Sequence, residues 1–240
     1  MKLLLHSLFF LALFSKSAVA ARFNLGAGTE FPLGTGIEGR FEMEGFTLGL
    51  QTGLILSPYV NATNSICKKL FPSYTESTAE LISSLIPNSI VIALKIGYQD
   101  FLFHGFLVEG GYEFISAGGG TATSTLLSAI TGKTVTPDSG SGTTLNVKGS
   151  IHNLTFHLGY RIDFSSSWLG MIRLGVVKPV ASTTTMEFSH PSSIVALALN
   201  TALTEYMNTI YRPIAFPVFS LALLYRFDSP EAPSRTPVTR

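Results

Sequence analysis

Residues 216–227 read FPVFSLALLYRF. Phe219, Leu221, Leu223, Tyr225 and Phe227 share one parity, and Ser220, Ala222 and Arg226 share the other. That is the period of an extended chain, whose successive side chains point to opposite faces, and not the period of a helix. The stretch then stops on Tyr225-Arg226-Phe227 and gives way to residues 228–240, DSPEAPSRTPVTR, which contain three prolines and mixed charge. Such a tail reads as a disordered linker or a short partner-binding peptide.

The same alternation recurs seven times upstream. Phe23, Leu25, Ala27, Thr29 and Phe31 lie opposite Arg22, Asn24, Gly26, Gly28 and Glu30, and Ile37, Gly39, Phe41 and Met43 lie opposite Glu38, Arg40, Glu42 and Glu44. Further apolar faces begin at Phe46, Ile90, Phe106, Leu154 and Trp168. Each run has about the 9–11 residues with which a tilted strand crosses a bilayer. The connections alternate too. They are tight at EMEGFT (42–47), GYQDFL (97–102) and IDFSSSW (162–168), and long at 57–88, 117–150 and 178–213, with a short first one, PLGTG, at 32–36. Eight strands with tight turns on one side and long loops on the other predict an all-β, antiparallel, up-and-down transmembrane barrel over residues 21–227. Residues 141–150 either extend the sixth strand or form a further β element.

Composition agrees. Only 13% of residues are charged, against roughly 25% in a soluble globular protein. The first residues, MKLLLHSLFFLALFSKSAVAA, place Lys2 before an apolar run and a small-x-small site at Ala18-Val19-Ala20, the layout of a cleaved secretory signal over 1–20. Its removal leaves 14 basic and 15 acidic residues, a balance without the clustered Lys and Arg that nucleic acid requires. Cys67 is the single cysteine, so an internal disulfide is excluded. Were the apolar faces inside, as in a soluble lipocalin-like carrier, the outside would be a Gly-rich surface with few charges. Facing lipid instead, the aromatics at strand ends (Phe31, Tyr98, Tyr160, Trp168, Tyr225, Phe227) fall where interfacial girdles belong.

On these patterns the chain resembles the small eight-stranded outer-membrane barrels of bacteria. Its last strand, with Leu221, Leu223, Tyr225 and Phe227, is similar to the signal such barrels present to the barrel-assembly machinery, although here thirteen residues follow the terminal aromatic. The resemblance implies an outer-membrane location with residues 228–240 in the periplasm. A barrel of this size is filled by its own side chains. The inward parity carries Glu30, Glu38, Glu42, Glu44, Glu109 and Glu113 against Arg22, Arg40, Lys95, Arg161, Arg173 and Arg226. Buried charges must be matched, so these residues are expected to form a closed salt-bridge network. An ion path past Glu38, Arg40 and Glu42, as in a monomeric porin, is the alternative.

No cofactor or metal is expected, because no His or Cys residues fall at ligand spacing. The chain is not expected to be an enzyme. Some small outer-membrane barrels modify lipid with a His and a Ser near the membrane surface, but His104, His152, His157 and His190 lie in no nucleophile motif. Asn61-Ala62-Thr63 and Asn153-Leu154-Thr155 match the glycosylation triplet, the second within a strand.

The long loops are unusually apolar. In the first, Ser73 and Glu76 have capping-box spacing, Leu81 and Leu85 share a helical face, and Pro87 closes the segment. A shorter helix is expected at STLLSAI (124–130). In the third, Ile194, Val195, Leu197, Ala198, Leu199 and Leu203 nearly surround a helix that begins after Pro191, and a helix apolar most of the way round is buried in something. The candidates are a cap over the barrel mouth, a homo-oligomeric contact that also touches membrane lipid through Leu81, Leu85, Ile194, Leu197, Leu199 and Leu203, or an external adhesion partner. A small barrel with apolar non-strand elements also resembles, more weakly, the ring-forming barrels of predatory bacteria that enclose lipid.

Overall fold

The computed structural model describes residues 21–70, 74–122, 128, 144–187, 201–202, 204–205, 209 and 215–227. Eight strands close into one antiparallel barrel in sequence order. They are β1 (Arg22–Phe31), β2 (Gly34–Met43), β3 (Phe46–Leu54), β4 (Ile90–Gln99), β5 (Phe106–Ala122), β6 (Thr144–Asp163), β7 (Trp168–Glu187) and β8 (Phe216–Phe227). β8, the stretch of residues 216–227, closes the barrel on β1 in a register that runs from Phe23 opposite Phe227 to Phe31 opposite Phe219. The turn between β2 and β3 is two residues, Glu44 (φ 48°) and Gly45 (φ 83°). Positive φ at both positions is what a hairpin turn matched to strand twist requires.

The barrel is inside out relative to a soluble protein. Ile37 is 58% and Leu174 62% exposed, while Arg40 and Arg173 are 0% exposed. A wall of apolar side chains around buried charges is stable only if the wall faces lipid. At the tight-turn end the wall finishes in aromatics: Trp168 lies 5.3 Å from Tyr225, Tyr225 5.0 Å from Phe227, and Phe227 5.9 Å from Phe23, between ring centroids. Phe31, at the other end, instead packs against Tyr59 at 5.6 Å.

Three strands outrun the sequence expectation. β5 has 17 residues and β6 and β7 have 20 each. Segments 117–122 and 178–187, read from the sequence as loop, therefore continue as strand, and 144–150 extends β6, one of the two outcomes the sequence left open. Beyond the bilayer neither face meets lipid, so the apolar parity fades while backbone pairing continues, as in Gly118 opposite Lys148.

The first long loop folds into two helices, α1 (Ser57–Leu70) and α2 (Glu76–Leu85). α2 is capped by Thr75, whose hydroxyl accepts from Thr78 N at 3.2 Å; Ser73 lies outside the described residues. α1 is not anticipated by the sequence, since Asn61, Thr63 and Asn64 are indifferent helix formers. It is held from outside itself: Asn64 donates to Ala79 O at 3.0 Å and accepts from Tyr74 Oη at 2.6 Å. Together the helices plug the long-loop end. Ile55, Val60, Cys67, Tyr74, Leu81, Ile82 and Leu85 pack on Val91, Ile115, Val147 and Ile151 of the barrel. Leu81 (0% exposed) and Leu85 (5%) are thus used within the chain, which removes them from the expected contact between copies. Residues 1–20, 123–127, 129–130, 191–200, 203 and 228–240, with the signal, the second and most of the third loop helix and the tail, lie outside the described residues.

α2 lies against β5 where Gly118–Gly119–Gly120 leaves room. A Cβ on Gly119 would overlap the carbonyl oxygen of Ser84. Gly119→Leu should therefore lift α2 and uncover Cys67, which is 2% exposed and whose thiol burial pushes above its ordinary pKa. A water-soluble maleimide should leave folded wild type unlabelled and label the variant, with mass spectrometry as the readout.

Candidate functional site

The inward parity of the strands builds the most chemically loaded region of the molecule. At its centre Arg173 on β7 grips Glu38 on β2 in a two-point ion pair, Nη1 to Oε1 at 2.7 Å and Nη2 to Oε2 at 2.5 Å. The same Nη1 reaches Glu109 Oε2 at 3.4 Å, and Nε donates to Ser220 Oγ at 3.1 Å. Arg40 donates to the other oxygen of Glu109 and lies 3.6 Å from Glu38. Four strands are thereby tied across the bore. A second node joins Lys95 to Glu30 and to Gln51 Oε1 (2.9 Å), with His157 Nε2 3.0 Å from the other Glu30 oxygen. Nearer the tight turns, Arg161 Nη1 donates to Gln99 Oε1 at 2.7 Å and sits 3.7 Å from Glu42.

Apolar clusters lie on either side of the Arg173–Glu38–Glu109 centre, the one on the tight-turn side level with Arg161 and Gln99, which pair with Met171 and Leu107. Leu107, Leu169, Met171, Ala222 and Leu224 pack on the tight-turn side. On the other side Leu33, Val177 and Val218 lie beneath the helical plug. The charged side chains inside are buried, at 0–7% exposed.

Among the charges read from the sequence, Glu30, Glu38, Arg40, Glu42, Lys95, Glu109, Glu113, Arg161 and Arg173 are buried inside. Three others are not there. Glu44 occupies the β2–β3 turn, Arg22 is exposed at the rim, and Arg226 pairs with Asp163 at 2.7 Å beside the β6–β7 turn. All three sit at strand ends, where inward parity opens to solvent. The reading from charge alone also passes over the neutral members Asn24, Thr47, Gln51, Gln99, Asn153, Thr155 and Ser220, although each has inward parity and is buried. Leu221, Leu223, Tyr225 and Phe227, the residues of the assembly signal, all project outward from β8, 38–49% exposed. Ile194, Leu197, Leu199 and Leu203 lie outside the described residues.

The inside balance is uneven. Among the described residues five carboxylates (Glu30, Glu38, Glu42, Glu109, Glu113) and four permanent cations (Arg40, Lys95, Arg161, Arg173) are buried. Among the described residues no Lys or Arg lies within 4.0 Å of Glu113, which accepts from Asn153 Nδ2 at 2.8 Å.

The histidines separate. His157 belongs to the bore. His104 is exposed beside Asp100, at 3.4 Å, and His190 lies outside the described residues. His152 faces outward on β6, with Nε2 3.4 Å from Ser150 Oγ and Nδ1 bonded to the hydroxyl of Tyr112 on β5. This cluster sits where the apolar belt ends: Leu154, two residues on, is lipid-facing, and its β7 neighbour is Lys178. Among the described residues no cluster of His, Cys, Asp and Glu could hold a metal.

No protein-family description and no curated protein matches the sequence. Among solved structures, the chain is similar to a major outer membrane protein from Thermus thermophilus, at 15% identity and TM-score 0.47 over 87% of this chain and all of that one. It is also similar to Acinetobacter baumannii CarO2, at 10% identity and TM-score 0.33 over 87% of this chain and 98% of that one. The assignment rests on this molecule's own geometry. Complete strand closure, a lipid-facing exterior and an aromatic girdle make it an eight-stranded transmembrane barrel of the bacterial outer-membrane type.

Replacing Arg173 by Met leaves Glu38 and Glu109 short of a partner in a closed space, a loss of about 3–5 kcal/mol by the usual cost of breaking a buried pair. Urea unfolding in lipid vesicles should show that drop. Arg173→Met combined with Glu38→Leu should recover part of it, because the second change removes the stranded charge.

Proposed function

We propose that this chain is a sealed structural barrel of the outer membrane that works by assembling with other copies of itself, not by passing solutes through its own bore. The carrying observation is the triple closure of that bore: the α1–α2 plug, the ion-pair network tying Arg173, Glu38, Arg40 and Glu109, and the apolar layer around Leu169 and Leu224. Self-association is supported by composition. The apolar face of α2 is packed within the chain, whereas in the third loop the sequence spaces Ile194, Leu197, Leu199 and Leu203 as a helix too apolar to face water alone would. Copies meeting through that loop would enclose membrane lipid, or a passage, between subunits. The single chain in planar bilayers should give no steady conductance, and native mass spectrometry from mild detergent should give a discrete multimer that Leu197→Asp with Leu199→Asp reduces in size. Stepwise conductance from a monomer, or an unchanged mass in the double variant, would refute the reading.

One observation favours a second reading, a lipid-modifying enzyme. Ser150, His152 and Tyr112 bring a nucleophile, a base and an orienting group together on the outer wall, at the edge of its apolar belt. In that reading His152 takes the Ser150 proton as Oγ attacks an ester carbonyl and gives it to the departing alcohol as the ester C–O bond breaks; water, deprotonated by His152, then attacks the acyl-Ser150, and the proton returns to Oγ as the fatty acid leaves. Ser150→Ala should then abolish ester hydrolysis in mixed lipid micelles while the folded band on an unheated denaturing gel persists. Equal hydrolysis by wild type and variant would end it.

A further inference from the structure

A turn that meets water is ordinarily built from Gly, Asn, Asp, Ser and Pro. The β2–β3 turn, with Glu44 and Gly45, is close to that rule. The β4–β5 connection departs from it. Its tip is Phe101, Leu102 and Phe103, which are 66%, 66% and 56% exposed. The connection is nonetheless well closed. Asp100 N donates to Phe106 O at 2.7 Å, Gly105 N donates to Asp100 Oδ1 at 2.6 Å, and Gly105 O accepts from Arg161 N on β6 at 2.7 Å. The polar backbone is satisfied at both ends, and three large apolar side chains are held at the tip. The neighbouring β6–β7 connection repeats the feature. Its Phe164 is 62% exposed and lies over Gly170, where a Cβ would come within 2.7 Å of the ring. Gly170 has the outward parity of Trp168 and Ile172, so Phe164 lies on the outer wall.

We propose that the β4–β5 turn is a membrane-dipping finger: Phe101, Leu102 and Phe103, with Phe164 beside them, enter the interfacial layer of the leaflet at the tight-turn end. The partner is a phospholipid surface, because the patch is continuous with the wall that faces lipid. Between ring centroids, Phe101 lies 6.4 Å from Tyr98, and Phe103 lies 5.1 Å from Phe106 and 6.2 Å from Tyr160. Tyr98 and Tyr160 are themselves outward-facing, at 48% and 44% exposed, at the level where membrane proteins concentrate aromatic residues. Charge does not recruit the lipid. The two arginines beside these turns are both engaged by Asp163, Arg161 at 3.3 Å and Arg226 at 2.7 Å, so insertion rests on apolar area and asks for no anionic headgroup. It is also one-sided. The apolar band reaches lower at the β4–β5 and β6–β7 turns than at Glu44 and Gly45, and a band of uneven height is accommodated by tilt. The finger stands apart from self-assembly, since it lies at the opposite end from the long loops.

The test places one nitroxide at residue 102 (Leu102→Cys with Cys67→Ala) of the full chain in phosphatidylcholine vesicles. Electron paramagnetic resonance then compares its collisions with oxygen, which concentrates in lipid, and with a water-soluble nickel chelate. Oxygen collisions should dominate at residue 102, and nickel collisions at a control nitroxide on the β2–β3 turn (Glu44→Cys with Cys67→Ala). The ratio at residue 102 should not change when phosphatidylglycerol replaces part of the lipid. Gel migration of unheated protein reports folding. If Cys67→Ala prevents it, Cys67 is kept, since it is 2% exposed, and the label is added after folding. Dominant nickel collisions at residue 102 would place the finger in water and overturn the proposal. A nitroxide shielded from both reagents would show that protein, a second copy included, covers the turn, and would overturn it equally. Insertion that appears only with phosphatidylglycerol would overturn the apolar account.

Discussion

Lipid offers no hydrogen-bond partner, and the rest of this structure depends on that constraint. Every backbone amide of a spanning strand must find its partner in another strand, so the sheet has to close. Closure here is the pairing of β1 with β8 from Phe23–Phe227 to Phe31–Phe219. Charged side chains meet the same constraint from the other side. They can point only inward, where eight strands leave just enough room for side chains to fill the space. The ion pairs of Arg173, Arg40 and Lys95 follow from strand parity and a narrow bore.

The interior is not thereby the main source of stability. A buried ion pair roughly offsets its own desolvation, and what it contributes is specificity. Arg173 meets both Glu38 oxygens and one of Glu109 only when β2, β5 and β7 hold this register and curvature. The long-loop end is governed by water instead. There Leu81, Ile82 and Leu85 leave solvent by packing on Val91, Ile115 and Ile151, an ordinary hydrophobic core set on top of a membrane barrel.

The parts legible in the sequence are those where two environments press on one strand. Phe219, Leu221, Leu223, Tyr225 and Phe227 betray β8 because one face meets lipid and the other meets charge. The same contrast places Glu38, Arg40, Lys95, Glu109 and Arg173 inside. Where the contrast fades, so does the signal. Residues 117–122 and 178–187 continue as strand where the alternation gives out, and Glu44 and Arg226 keep inward parity at ends that open to solvent. α1 is illegible because its Asn64 is clamped by Ala79 and Tyr74, contacts that exist only after the loop folds. The pairing of His152 with Tyr112 is hidden likewise, since it crosses between β6 and β5.

The inside-out arrangement can be measured without altering a residue, because Trp168 is the single tryptophan. It lies in the aromatic girdle at the tight-turn end, 44% exposed on the outer wall. In vesicles containing brominated phospholipids, its fluorescence should be quenched most strongly by bromines near the headgroup end of the acyl chain, and only weakly by acrylamide in the water phase. Strong acrylamide quenching with no response to brominated lipid would place Trp168 in water and contradict a lipid-facing wall.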